Sequence, residues 1–258
     1  MWAKIKRAIY HKKMKKGNIT YKIFGIPVSS KKQLPVFQDN GKNNLLIITN
    51  NNRKNKYYLI PGNNYIVDGL EIFVSEKAMN NLIQIDVSNS FQSSYFYISG
   101  KNSTLCCGIK NKYRKFLVFM NESTDGACLK IEKEIRMGGC QIDLFGKDSV
   151  EINEYCMFSY DIHIWAGDGH AIYEEKTKKL LNGKQSTVKI GKYCWIGNQV
   201  VLTKNAKISD NSIVGVGSVV TKSFEKPNVI IAGNPAKIIK EGENWAGCSP
   251  NEYKDPSF

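Results

Sequence analysis

Residues 190–220 read IGKYCWIGNQVVLTKNAKISDNSIVGVGSVV. Counted in sixes from Ile190, the chain gives Ile190, Ile196, Leu202, Ile208, Val214 and Val220, all aliphatic. Four residues past the first five stand Cys194, Val200, Ala206, Ser212 and Ser218, all small or apolar. One residue past them come Gly191, Gly197, Thr203, Ser209 and Gly215, which suit a tight bend. A period of six fits neither an amphipathic helix nor a half-buried strand. It fits short parallel strands that turn a corner every six residues and coil into a prism, with the aliphatic side chain inside.

Three segments carry a family resemblance: Trp195-Ile-Gly-Asn198, Ile213-Val-Gly-Val-Gly-Ser-Val-Val-Thr-Lys222 and Ile231-Ala-Gly-Asn-Pro-Ala-Lys237. Together they resemble the closing coils of the hexapeptide-repeat acyltransferases, and the similarity covers about residues 140–240. The resemblance implies an all-β fold, a left-handed parallel β-helix. The hand follows from the resemblance alone, because left-handed crossovers break the general rule for parallel strands. The segment Asp168-Gly-His170-Ala-Ile172, placed before Trp195, further resembles the branch that O-acetylates capsular polysaccharide, polysialic acid included.

The charge is unevenly placed. The chain has 258 residues and a net charge of +14, but residues 1–60 hold fourteen Lys or Arg against Asp39 alone, for +13. Residues 61–258 hold 23 basic and 22 acidic residues, for +1. Seven cysteines (106, 107, 128, 140, 156, 194 and 248) include no Cys-x-x-Cys pair. Cys156 and Cys194 fall on the small inward position and Cys140 on the aliphatic one, so they read as small hydrophobes in a reducing compartment. Met1–Lys16 has no uninterrupted apolar core of a signal peptide, and no apolar run reaches transmembrane length. The expectation is a cytoplasmic enzyme, with the inner membrane face as a place for its basic front.

Three regions are expected: a basic front, 1–64; a parallel β-helix, 65–222; and a donor-binding segment with tail, 223–258. In the front, Trp2, Ile5 and Ile9 at helical spacing suggest a short amphipathic helix for an anionic membrane surface or an acidic polymer. The competing reading is a solvated arm packed on its own domain. Residues 17–64 alternate apolar runs with turn-rich stretches, as strands do. Runs from Tyr65 to Ile135 continue this pattern without a clean six and are read as irregular early coils.

A register of six returns at Cys140, Gly146, Ile152, Phe158 and Ile164, with Leu144, Val150, Cys156, Ile162 and Asp168 four residues on. Ile164 and Ile190 are 26 residues apart, which six does not divide, so a loop leaves the prism over about 167–187. After Lys222 the pattern stops; Pro227 and Pro235 argue against continued core strands. Ile238–Trp245 is expected as a short terminal helix.

Of three histidines, His11 reads as a solvated base and His163, beside aliphatics, as structural. His170 stands where the repeat breaks, between Gly169 and Ala171. Moving an acyl group from a thioester to a sugar hydroxyl needs a base for the hydroxyl proton, and imidazole suits this near neutral pH. No covalent enzyme intermediate is required when both substrates are bound together. The resemblance points to the same residue. Asp168 either orients that ring or caps the turn.

Trp195 reads either as packing under the loop or, by the resemblance, as part of the active site. There its indole would cover a sugar face and a neighbouring N–H would polarise the carbonyl. The resemblance implies acetyl-CoA as donor, lying along a groove between adjacent β-helices. Gly197, Gly215, Gly217 and Ser218 would let the pantetheine arm approach the backbone. Lys222 and Lys237 would meet the phosphates, and Ala232, Gly233 and Pro235 would flank the adenine. Gly215-Val-Gly217 lacks the third glycine and strand–helix setting of a dinucleotide motif. Three dissimilar histidines match no zinc triad, so no metal is expected.

The resemblance thus implies an acetyl-CoA-dependent O-acetyltransferase for a hydroxyl of a bacterial surface polysaccharide or its sugar precursor, working as a homotrimer. An acidic polymer acceptor would give the basic front a purpose. The alternatives are a small-molecule acetyltransferase for a nucleotide-sugar amine, an amino acid or an antibiotic, and a non-catalytic β-helix module that binds polyanions. No nucleic-acid-binding motif accompanies the positive charge.

Overall fold

The computed structural model describes residues 13–15, 18–23, 42–50 and 53–254. Among these, every regular element is a strand, and the strands form three parallel-dominated sheets of ten, nine and eight. The sheets are the walls of a three-sided, left-handed parallel β-helix of about seven turns. Each coil contributes one strand to each wall, as in Cys140–Leu144, Ser149–Ile152 and Met157–Phe158.

On the first wall Ile72, Phe96, Val118, Ile142 and Ile164 stack in register, 24, 22, 24 and 22 residues apart. Leu202 follows 38 residues on, and Val220 another 18. Only the last coils therefore have the bare three-times-six length. The expected column is there: Ile190, Ile196, Leu202, Val214 and Val220 are fully buried, and so are Cys194, Val200, Ala206, Ser212 and Ser218. The register from Cys140 holds at Ile152, Phe158 and Ile164, but Gly146 sits in a left-handed turn at the prism edge.

The residues that make the bends differ from those expected. The left-handed backbone falls three residues past each aliphatic, at Tyr193, Gln199, Asn205, Asn211 and Gly217 (φ 53–67°). The small residues one past the aliphatic serve close approach instead. A Cβ at Gly191 would lie 2.6 Å from the Asp210 nitrogen, and one at Gly197 would lie 2.8 Å from the Val214 oxygen. Thr203 and Ser209 fit at this position by donating their hydroxyls to the Val220 and Phe224 carbonyls of the next coil.

The prism reaches beyond both expected boundaries. Leu45–Asn50 pairs in parallel with Leu82–Asp86, and Leu46, Ile48, Tyr57 and Leu59 join the same core, so the wall has no break at residue 64. The amphipathic helix expected around Trp2, Ile5 and Ile9 and the base His11 lie outside the described residues. At the other end Ser223–Phe224 and Val229–Gly233 still extend the second and third walls, with Pro227 between them at a corner.

The terminal helix expected over Ile238–Trp245 is absent. Ala236–Glu241 instead turns back through Asn234-Pro235 and pairs antiparallel with Val229–Gly233. An otherwise unpaired final rung offers free N–H and C=O groups, and β-branched Ile238 and Ile239 favour the extended chain that satisfies them.

The stacked column makes a measurable claim. Leu202→Ala is expected to cost about 2–5 kcal/mol in urea unfolding. Val216→Ala, at a corner residue 70% exposed, should stay within about 0.5 kcal/mol. Equal losses in the two variants would show that the column does not hold the prism together.

Candidate functional site

The loop begins after strand Ile162–Trp165 on the first wall and ends at Thr187–Ile190 on the second. Both feet are tied to Asp148, one coil earlier. Its carboxylate accepts a hydrogen bond from the Ser186 nitrogen (2.8 Å), and the Ser186 hydroxyl donates to the Ala166 carbonyl. Gly167 packs so closely that a Cβ there would fall 1.8 Å from Asp148 Oδ2. Burial raises the Asp148 carboxyl above its usual range, and the Asp168 charge adds to this against the bonds from Ser186.

Within the loop, Asn182 is the clamp. Its Nδ2 donates to the His170 carbonyl (2.8 Å) and to Asp168 Oδ2 (2.9 Å), while its Oδ1 accepts from the Ile172 nitrogen (2.8 Å). Asp168 also pairs with Lys204, whose hydrogen bond is the main reason its carboxyl lies below the ordinary range. Asp168 therefore acts on His170 through Asn182 and the main chain, as an anchor of the turn. The His170 imidazole is exposed. His163 sits half-buried on the first wall between Gln141 and Val201.

Neither Asn182, which precedes Gly183 as turn residues do, nor Lys204 signals this role in the sequence. Lys204 becomes findable once Leu202 is stacked on Ile164, which brings its corner beside the loop's first foot.

Trp195 lies elsewhere: on the third wall, between Met157 and Ile213, with the strand Thr187–Ile190 of the second wall separating it from the loop. Its indole is 37% exposed and donates to the Ser159 hydroxyl at 3.3 Å. Trp245 packs against it, ring centres 6.2 Å apart, and is itself held by the Tyr193 carbonyl at 2.6 Å.

Most of the expected donor residues gather along the corner between third and first walls. Gly197 and Gly215 stack on successive coils, a Gly215 Cβ would lie 3.1 Å from that of Ala232, and Gly217 donates to the Asn198 carbonyl. Ser218 is fully buried; its hydroxyl donates to the Gly215 carbonyl (2.7 Å) and accepts from the Gly233 nitrogen (3.2 Å), so it shapes the corner. Gly233, Pro235 and Lys237 continue the line on the terminal hairpin, with Lys237 exposed opposite Ala232. Lys222 is not part of this line. It stands at the other end of the last first-wall strand, its ammonium 5.5 Å above the Phe224 ring. Among the described residues no cluster of three or more His, Cys, Asp or Glu is placed to hold a metal ion.

The loop geometry gives two expectations. Asn182→Ala should speed tryptic cleavage after Lys176, Lys178 or Lys179 by roughly two- to tenfold, the equivalent of about 0.5–1.5 kcal/mol of lost hydrogen bonding; an unchanged rate would remove the clamp. The lowered Asp168 carboxyl contributes stability that is full above the ordinary Asp value, about 3.9, and is lost as pH falls through the lowered folded value. Lys204→Met should move its titration, followed by carboxyl NMR, upward.

Residues 187–222 match the family of bacterial transferase hexapeptides (six repeats). The galactoside O-acetyltransferase of Escherichia coli K12 is 41% identical over 75 residues, 28% of this chain and 35% of that protein. The polysialic acid O-acetyltransferase of Escherichia coli O1:K1 / APEC is 31% identical over 125 residues, 48% of this chain and 40% of that protein. This chain thus spans about two-fifths or less of these curated relatives. The crystal structure of the polySia-specific acetyltransferase NeuO superposes with a TM-score of 0.62 at 23% identity, covering 83% of each chain, a likeness of fold. The family match thus falls on the coils that follow the His170 loop.

Proposed function

We propose that the chain is an acetyl-CoA-dependent O-acetyltransferase acting on a hydroxyl of a bacterial surface polysaccharide or its sugar precursor. The observation that carries this reading is the exposed His170, its carbonyl held by Asn182 at a corner where the coil opens, immediately before the family-matched repeats. The two curated relatives are named for O-acetyl transfer to galactosides and to polysialic acid, which supports a sugar hydroxyl as acceptor.

In the proposed reaction His170 takes the hydroxyl proton as the oxygen attacks the thioester carbonyl. The carbon–sulfur bond then breaks, and the proton passes to the departing thiolate to give free CoA. Asp168, Asn182 and Lys204 are positioning residues. Gly217 and Gly233 leave room for a narrow arm against the backbone, while Gly197, Gly215 and Ala232 let the coils beneath it close up. Pro235 and Lys237 extend this line on the hairpin, and Lys222 requires a phosphate that reaches another corner.

Assembly as a homotrimer accounts for the separation of the residues. Within one chain a whole wall divides His170 from Trp195, and a second copy can bring a loop against the third wall.

The test is thiol release from acetyl-CoA with polysialic acid as acceptor. His170→Ala should lower turnover about 10²–10⁴-fold while acetyl-CoA still protects the variant against thermal unfolding. Near-full activity in that variant removes the mechanism. Transfer to a small amine with none to any polysaccharide would favour a small-molecule enzyme.

A further inference from the structure

From the rungs of the third wall we infer that this wall carries an elongated binding groove for an acidic, carboxylate-bearing polysaccharide, leading to Trp195. The inference rests on the acetyltransferase reading for its orientation, but the groove itself is a matter of placement. The outward residues of successive rungs are Lys112, Arg136, Met157 and Trp195, in direct register. At a rung spacing of about 4.8 Å, Lys112 and Trp195 stand roughly 14 Å apart. A groove of about 430 Å³ opens over the Lys112, Arg136 and Met157 rungs, with Lys110 at its early end and Tyr193 and Trp245 at its late end.

The chemistry of this lining is specific. Lys110, Lys112 and Arg136 are exposed and form no salt bridge among the described residues, against one lining acid, Glu134. Tyr155 and Tyr193 stack on each other (4.7 Å, 12°), and the Lys133 ammonium lies 5.4 Å above the Tyr155 ring. Guanidinium and ammonium groups recognise carboxylates, and aromatic faces cover sugar rings. Lys112 and Arg136 on neighbouring rungs, with Lys110 beside them, suit an acidic sugar chain laid along the wall. The order also fits the reaction: the cations lie on the early coils, on the far side of Trp195 from the glycine line. The acceptor and the donor would then approach Trp195 from opposite ends of the prism.

The experiment measures binding of polysialic acid to the full chain without acetyl-CoA. The double variant Lys112→Glu/Arg136→Glu should weaken binding about tenfold or more, a size reachable from two exposed charge contacts and their reversal. The variant Lys54→Glu/Lys56→Glu makes the same change in net charge on the exposed hairpin of the second wall, and should weaken binding less than about twofold. Both alter exposed side chains, so an unchanged thermal midpoint verifies the fold. Equal losses in the two variants, no loss in the first, or competition by oligo-dT as effective as by polysialic acid would each overturn the groove. No acetyl transfer enters this measurement, so a failure of the His170 mechanism leaves the result readable, and a failure of the groove leaves His170 untouched.

Discussion

Parallel stacking in register is the interaction on which everything else in this molecule depends. A single coil cannot bury its own aliphatic residues; it does so only because the next coil places a matching side chain directly above. Ile142, Ile164, Leu202 and Val220 form such a pile on one wall, and all four are fully buried. Each contributes about 1.5–3 kcal/mol by leaving water, so the inside of the prism is fixed far more firmly than any surface contact could fix it. The outward positions inherit that order. Residues that never touch in sequence, such as Arg136 and Met157, become neighbours at constant spacing.

The same physics explains why one end of the fold is legible in the sequence and the other is not. In the last coils corners are made by small apolar residues and a single left-handed position, so the period stays at six. In the first coils the corners are wider and are held by buried polar ladders. Asn81 donates to Asn44 Oδ1 and to the Gly100 carbonyl, and accepts from the Ser103 nitrogen. Asn111 repeats the arrangement, with Asn89 before it and Ile135 after it. Each such residue satisfies backbone groups exposed by a longer turn. The additional residues stretch coils to 22 or 24 and dissolve the period, although the walls are unchanged. The terminal strand was hidden for a related reason, since only the open edge of Val229–Gly233 makes Ala236–Glu241 extended.

The loop shows how a rigid repeat accommodates an exception. Between Ile164 and Leu202 the spacing is 38 residues where the following coil needs 18. Twenty residues leave and return at one corner, yet Ile164 still stacks on Ile142, and Val188 on Val150. Closing a loop of that size costs only logarithmically with length, provided its ends are already near each other. Asp148 and Ser186 keep them near. His170 was visible as the place where the arithmetic of six fails, whereas its supports were not, because Asn182 and Lys204 become its neighbours only after coiling.

The distribution of chemistry over the walls then follows from what each corner can tolerate. At the corner between third and first walls Gly197, Gly215 and Ala232 bring successive coils together, and Gly217 and Gly233 leave the backbone open. The corner between second and third walls has the opposite character, with left-handed Lys110, Glu134, Tyr155 and Tyr193 projecting large groups on successive coils. One edge of the third wall therefore has small residues on its last coils and the other large ones, with Trp195 on the wall between them. A thin, flexible donor and a broad, charged acceptor make opposite demands on a surface, and on the proposed reading this wall meets both without altering the core. On the same reading His170 completes the constellation only from outside that wall. A prism that bound along its length but reacted through a loop from another copy would gain its specificity from the rungs and its chemistry from assembly.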